Sequence, residues 1–399
     1  MSRPEVWEAF YEYKSNLSCP KSVLRDLRSF IDTAAYLPVC ETIAAGGRFP
    51  LPKKSVVCKM SSQKKRTVYT YPFAENTVLK LLTWLMLREY DAVFSYNLYS
   101  FRPGRTAKDA VLRLKYAPGM RGMYAYKADV SDYFNSIPID PLLVKLRGTL
   151  RDDAALCRFL ESLLCEPYVM DNGKPVTEQK GIMAGTPLSA FFANLYLGDL
   201  DAVFAERGVL YARYSDDIIV FADSAEKAEA YASEIRAQLL THGLSVNEKK
   251  EDRFTPETGW IYLGFEYKNG EVDVAPASMQ KLKAKMRRKT RALARWRKRS
   301  DLPNEKAAKA FIRVFNRKLF ESAGDNELTW SLWYFPVITT AQRLGEIDRY
   351  AQDCIRYLLT DTRTKGRYNA RYEDLKALGY RSLVHEYYVF REDRTGKNK

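Results

Sequence analysis

The chain is nearly devoid of histidine: 399 residues contain two, His242 and His385, far apart. That scarcity excludes His-rich zinc sites, Ser-His-Asp triads and His-centred nuclease chemistry. Six cysteines (Cys19, Cys40, Cys58, Cys157, Cys165, Cys354) show no Cys-x-x-Cys spacing, which excludes a zinc ribbon or dithiol motif and reads as buried, reduced thiols. No apolar run reaches the roughly 18 residues of a membrane helix, and MSRPEVWEAF has no signal core, so a cytoplasmic protein with no membrane partner is expected. No internal repeat is visible, and only the closing RTGKNK looks frayed. Acid is also under-represented, with 49 Asp and Glu against 64 Lys and Arg, a net charge of +15. Such a surplus points to a polyanionic partner, above all nucleic acid. With histidine so scarce, any catalysis must rest on carboxylates.

Apolar residues make up 46% and charged residues 28%, the profile of a globular chain with room for two or three subdomains. Periodicity predicts helices over 3–15, 21–36 and 75–94, with a basic turn and an alternating strand over 61–73. Further on it predicts a strand over 122–130, an apolar helix over 185–206, and two apolar runs over 210–222 joined at Ser215-Asp216. A helix at 225–242, strands near 244–247 and 261–267, and an Asn269-Gly270 turn follow. That alternation implies an α/β sheet packed on helices. From 276 to about 360 the pattern is helical, beginning with 281–299, which holds eleven basic residues and no acid. The expected divisions are a helical extension over 1–60, a central domain over 61–275, and a basic helical region with its tail over 276–399.

Two adjacent carboxylates, Asp216 and Asp217, sit at the joint of two apolar runs in Tyr214-Ser215-Asp216-Asp217. They repel each other while their flanks bury the strands that hold them, an arrangement relieved by a divalent cation. Asp129 closes a second strand, followed by Ser131-Asp132-Tyr133-Phe134-Asn135. The ordered series ADVSDYFNSIP, KGIMAGTPLSAFFANLYL, YSDD, LSVNEKKE and YLGF, preceded by KKRTVYTYP and NLYSFRPGRTAKDAV, resembles the successive blocks of a reverse transcriptase. The resemblance spans Ser61 to Phe265 and implies a right-hand polymerase, with fingers and an antiparallel palm followed by an all-α thumb. It also implies RNA-directed DNA synthesis from dNTPs.

Position by position, the resemblance implies that Asp129 and Asp216 hold two Mg²⁺ ions, with Mn²⁺ as an alternative, Val130 in the metal shell and Asp217 as the accessory acid. Arg66 would fold over the triphosphate and Lys250 would protonate the leaving pyrophosphate. Phe134, five residues after Asp129, would be the ring that excludes a 2′-hydroxyl, its neighbour Tyr133 pointing away if the backbone is extended. Asp132, Gly185 and Ser215 would complete the nucleotide site, although Met183-Ala184-Gly185 stands where many members carry Pro-Gln-Gly. Tyr262 and Gly264 would grip the primer, and Arg287, Arg288 and Arg291 would follow the duplex backbone. Leu282, Met286, Leu293 and Trp296 form one apolar seam for packing.

The absence of a second Asp at Phe134's position argues against a viral-type RNA-dependent RNA polymerase. The presence of all three carboxylates argues against an inactive palm-derived RNA-binding scaffold. The Gly185-Thr186-Pro187 form and the compact size resemble bacterial retron, abortive-infection and "unknown group" enzymes. That likeness implies a structured non-coding RNA template, a DNA/RNA duplex product and a role in antiphage defence. It allows a homo-oligomer or an accessory defence protein as partner, and protein-primed or untemplated synthesis as the alternative activity.

Overall fold

The computed structural model describes residues 1–17, 19–58, 65–321 and 329–396. It separates into two compact units, Met1–Pro256 and Glu257–Lys399. The first opens with α1 (Pro4–Ser15), α2 (Lys21–Asp32) and α3 (Leu37–Ala44). The single helix expected over 21–36 stops early because Ala34 turns left-handed at φ 50°, and Pro38 then seeds α3, where its fixed φ suits a first turn. The segment expected to be a helical extension ends instead in β1 (Lys53–Cys58), which pairs antiparallel with β2 (Lys65–Thr70). The basic turn expected over 61–64 lies outside the described residues.

The remaining elements of this unit are α4 (Phe73–Glu89), α5 (Ala107–Lys115), β3 (Tyr124–Asp129), α6 (Tyr133–Ser136), α7 (Ile139–Thr149), α8 (Ala154–Cys165), β4 (Tyr168–Asp171), β5 (Lys174–Thr177), α9 (Ser189–Tyr196), α10 (Gly198–Glu206), β6 (Tyr211–Tyr214), β7 (Asp217–Ala222), α11 (Ala225–Thr241) and β8 (Asp252–Phe254). Helix α5 begins at a reciprocal cap in which the Thr106 and Asp109 side chains take each other's backbone N–H groups. The apolar stretch expected as one helix over 185–206 is two, because the backbone leaves helical geometry at Leu197. The strand expected near 244–247 amounts to one isolated bridge, Val246 against Val130.

Two four-stranded sheets result, ordered β2-β1-β4-β5 and β6-β7-β3-β8. The second is antiparallel throughout. Its strand β7 is a continuous apolar run, with Ile218, Ile219 and Val220 fully buried, because helices and neighbouring strands cover both faces. Helix α11 packs across β3 and β7.

The second unit opens with a three-stranded sheet of β9 (Trp260–Tyr262), β10 (Phe265–Lys268) and β11 (Glu271–Val274), in the order β11-β10-β9. Asn269 and Gly270 form the expected turn, both at positive φ (53° and 90°), as a type I′ hairpin requires. Helices α12 (Pro276–Arg299), α13 (Asn304–Leu319), α14 (Trp330–Tyr334), α15 (Gln342–Thr360), α16 (Tyr372–Ala377) and α17 (Leu383–Gly396) follow. Buried Asp348 on α15 accepts the Leu383 and Val384 N–H groups at 2.8 and 3.0 Å, so one helix caps the start of another. The seam of α12 buries Leu282, Met286 and Leu293 as expected, but Trp296 is 39% exposed and Arg297 is buried in its place, paired with Asp361 at 2.8 Å. Of the tail expected to fray, 394–396 closes α17 and 397–399 lies outside the described residues. Among the described residues no helix is long and apolar enough to cross a membrane.

Candidate active site

The antiparallel register of β3 and β7 sets Asp129 directly opposite Asp217. On the other side of β7, Tyr214 pairs with Asp217, leaving Ser215 and Asp216 as a two-residue hairpin turn. Ser215 has φ 60° while Asp216 does not enter the positive region, the pattern of a type II′ turn whose first position favours glycine. A serine held there stores backbone strain, and its surroundings supply the restraint. Its N–H donates to Ser100 Oγ at 2.9 Å and its carbonyl accepts from Arg213 Nη1 at 3.2 Å.

Arg213 is fully buried and forks onto Asp201, itself fully buried, through Nε at 2.8 Å and Nη2 at 2.6 Å. Tyr211 donates to the same carboxylate at 3.0 Å, and Arg213 also donates to the Asn194 carbonyl at 3.0 Å. Asn194 and Ser100 close the network through two hydrogen bonds at 2.8 and 2.9 Å. This anchorage was not read from the sequence. Its signal is Arg213 itself, a charge in the middle of the apolar strand LYARY.

Burial, and then the Asp129 carboxylate, raise the pKa of Asp216 above the usual range. Burial and then Asp216 push Asp217 up to about 6. The site is thus short of positive charge. One cation already answers: Lys250 Nζ donates to Asp129 Oδ2 at 2.6 Å from the 3₁₀ turn Glu248–Lys250. The expected metal-shell residue Val130 ties the two strands together, its N–H donating to the Asp216 carbonyl at 3.0 Å.

Phe134 is not on extended backbone. Asp132 turns left-handed at φ 40° and the chain enters α6, so Tyr133 points inward, fully packed, with its hydroxyl donating to the Ala193 carbonyl at 2.6 Å. A helical turn rather than strand alternation sets the directions of the two side chains, and the Tyr133 ring meets the Phe134 ring edge-on at 5.7 Å. Phe134 is half-buried, and the Arg66 guanidinium lies over its ring at 5.7 Å. Exposed Asp132 accepts from Asn135 Nδ2 at 3.0 Å.

The 181–185 segment locks this corner from behind. At Gly181 a Cβ would lie 2.5 Å from the Phe134 carbonyl, which accepts the Ile182 N–H at 2.9 Å. At Gly185 a Cβ would press on Val68 at 3.1 Å, while the Tyr69 N–H donates to the Ala184 carbonyl at 2.8 Å. Ala184, where many relatives carry Gln, is fully buried.

Asp129, Val130, Ser215, Asp216 and Asp217 therefore meet at one end of the antiparallel sheet, with Lys250 on Asp129 and Arg66 within electrostatic reach of Asp216; Phe134 lies under Arg66, while Gly185 packs on Val68 of the other sheet. Among the described residues no three acidic, histidine or cysteine side chains form a closed metal cage. The donors nevertheless suit Mg²⁺, which is hard, keeps several waters and is commonly held by one or two carboxylates plus substrate phosphate. Asp129 and Asp216 would hold it.

In the second unit, the expected primer-grip residues form a tight hairpin turn. Leu263 and Gly264 are both at positive φ (49° and 89°), and Tyr262 is fully buried, so the turn offers backbone rather than the Tyr262 ring. At Gly264 a Cβ would crowd the Tyr334 hydroxyl at 3.1 Å and Ser278 Oγ at 3.2 Å. Arg287, Arg288 and Arg291 are exposed on α12. Arg287 and Arg291 both line a cleft against α15, which Arg288 does not.

An antiparallel α/β palm with a strand-supplied acidic end, and a helix-rich unit after it, is the fold class of right-hand polymerases. Residues 51–267, more than half of the chain, match the family described as reverse transcriptase (RNA-dependent DNA polymerase), and the chain belongs to that family. It is 22% identical over 223 residues to the group II intron-encoded protein LtrA of Lactococcus lactis subsp. cremoris, covering 54% of this chain and 36% of that protein. The LtrA of strain MG1363 matches equally. The chain thus spans about a third of the length of these curated relatives. Among solved structures it resembles apo telomerase from Candida tropicalis, with 12% identity and a TM-score of 0.47 over 83% of this chain and 69% of that one. Telomerase from Candida albicans, in complex with the TWJ fragment of telomeric RNA, gives 12% and 0.47 over 84% and 64%.

Proposed function

We propose that this protein is an RNA-directed DNA polymerase that extends a primer with dNTPs at the Asp129–Asp216 end of its antiparallel sheet. The observation that carries this reading is the pairing of Asp129 with Asp217 across two strands, with Asp216 held beside them on a strained turn. Bound Mg²⁺ would supply charge neutralisation of the triphosphate and acidify the primer 3′-hydroxyl. Asp129 and Asp216 position the cations, and Asp217 adds negative potential beside them. Arg66 clamps the triphosphate with its planar fork and stays in place through the Phe134 ring. Lys250, already ammonium-bonded to Asp129, moves to the leaving pyrophosphate and gives it a proton. Phe134 closes the space a 2′-hydroxyl would need. Backbone at Leu263–Gly264 steadies the primer end, and Arg288 of α12 binds a duplex phosphate.

The template in this reading is a dedicated structured non-coding RNA and the setting bacterial antiphage defence, supported by the Gly185-Thr186-Pro187 form of the nucleotide block. The test is extension of a DNA primer on an RNA template by the full chain with Mg²⁺ or Mn²⁺. Absence of dNTP incorporation under both metals would remove the proposal. The Phe134→Ala variant should accept ribonucleotides, its kcat/KM ratio for dNTP over rNTP falling at least tenfold, about 1.4 kcal/mol. An unchanged ratio in an active variant would return the ring to a packing role. Arg288, which stands off the α15 cleft, should contribute one phosphate contact. Arg288→Gln is expected to flatten the log–log salt dependence of duplex binding by about 0.9, and a wild-type slope would take α12 out of the duplex path.

A further inference from the structure

Four arginines converge on a cleft of about 230 Å³ in the second unit, lined by Arg287 and Arg291 of α12, Tyr350 and Tyr357 of α15, and Arg363 and Arg367 of the segment after it. One acid, Asp353, also lines it, and it is engaged by Arg367 at 3.3 Å and by Arg356 at 3.9 Å. Arg287, Arg291 and Arg363 make no ion pair among the described residues. Three guanidinium groups around one concavity repel one another, and a structure that merely needed a solvated face would not aim them at the same volume. The aromatic component is as specific. The Arg363 guanidinium lies 4.8 Å from the centre of the Tyr357 ring. Arg287, Arg291 and Arg363 all lie within electrostatic reach of the Tyr350 hydroxyl, whose pKa burial nonetheless pushes up.

The combination has a chemical reading. Guanidinium forks select phosphate, and tyrosine rings or guanidinium planes offer a flat face on which a base can stack. The cleft is smaller than the roughly 300 to 1,000 Å³ that engulfs a drug-sized ligand. It suits one ring and one phosphate, with the remainder of the ligand outside. We propose that this cleft binds a single unpaired nucleotide unit, its phosphate on Arg287, Arg291 and Arg363 and its base against Tyr350 or Tyr357. A free nucleotide and an unpaired residue of an RNA strand share this chemistry. Binding there requires no nucleotidyl transfer and can be tested where no polymerisation occurs.

The test uses the full chain in EDTA with a five-nucleotide, 5′-phosphorylated RNA carrying 4-thiouridine, crosslinked by light and mapped by peptide mass spectrometry. Crosslinks are expected in the peptides bearing Tyr350 or Tyr357. Their yield should fall at least fivefold in Arg363→Gln, a variant that leaves the Asp129–Asp216 site untouched, and be partly restored in Arg363→Lys. Suppression by millimolar AMP would assign the site to free nucleotide. Suppression by unlabelled RNA but not by AMP would assign it to an unpaired strand. The proposal is overturned if crosslinks map only elsewhere or if Arg363→Gln crosslinks like the wild type. It is equally overturned if blunt duplex or polyglutamate of matched charge competes as well as single-stranded RNA. Primer extension measured separately on the same preparations keeps failure of the polymerase reading distinguishable, since crosslinking in EDTA requires no catalysis.

Discussion

Asp216→Asn should reduce dNTP incorporation by about a thousandfold or more while leaving the fold intact and, in EDTA, at least as stable as the wild type. Asparagine keeps the shape of the turn residue and removes one of three mutually repelling charges. The sign of the pH dependence follows from Asp217, whose pKa stands at about 6 in the fold against an ordinary value of 3.8. Between those values the folded chain holds a proton that the unfolded chain has released. The contribution of Asp217 to stability is therefore fully present below about pH 4 and is lost as pH rises through 6, a loss of at most about 3 kcal/mol when no cation is present, read as the difference between wild type and Asp217→Asn. Asp217→Asn should remove that decline, and millimolar Mg²⁺ should offset it in the wild type. Thermal melts from pH 4 to 7.5 in EDTA, beside primer extension at pH 7.5, are the measurements. An Asp216→Asn chain that still incorporated dNTPs near the wild-type rate would move the reaction away from this turn. Loss of folding together with activity would make the carboxylate structural.

The second large effect lies one step behind the turn. Arg213→Met leaves Asp201 charged, buried and without its fork, and breaking such a pair from one side costs about 3–5 kcal/mol. For a unit of this size that is a fall in Tm on the order of 10 °C. Replacing both partners, as Arg213→Met with Asp201→Leu, should restore much of the stability, although the Tyr211 hydroxyl loses its acceptor. It does not restore the donor to the Ser215 carbonyl. Urea unfolding should therefore recover in the double variant while kcat stays depressed. Recovery of both would make the pair a packing element with no hold on the turn.

These two sites differ in how far they can be read in one dimension. The acids were legible because each ends or joins an apolar strand, and a carboxylate there has few ordinary uses. The hairpin at Asn269-Gly270 was legible because the turn type dictates its residues. Asn172-Gly173 forms the same kind of hairpin between β4 and β5, with φ 49° and 82°, and the short, weakly apolar strands on either side gave no period to flag it. Strand β1 was hidden among lysines whose alternation is weak, and its identity comes from pairing with β2. The Arg213 network was the least visible. Its members Ser100, Asn194, Asp201 and Arg213 lie in three separate sequence blocks, and only the folded chain makes them one group. Trp296 misled because helical spacing after Leu293 allows either the third or the fourth residue on, and the fourth is the buried one, Arg297, whose stem can fill the same groove.

The ammonium of Lys250 on Asp129 bears on the order in which ligands enter. A divalent ion approaching Asp129 competes with a bound counter-ion, so its intrinsic affinity is reduced by whatever the displaced lysine loses. A polyphosphate arriving with the metal offers that lysine a new anion and returns the loss. In the proposed reading, metal and nucleotide would then be thermodynamically linked through one side chain, each tightening the other by the same factor. In such an arrangement the centre discriminates against either ligand alone and fills in a concerted manner, a cooperativity that needs no movement larger than the swing of a single lysine.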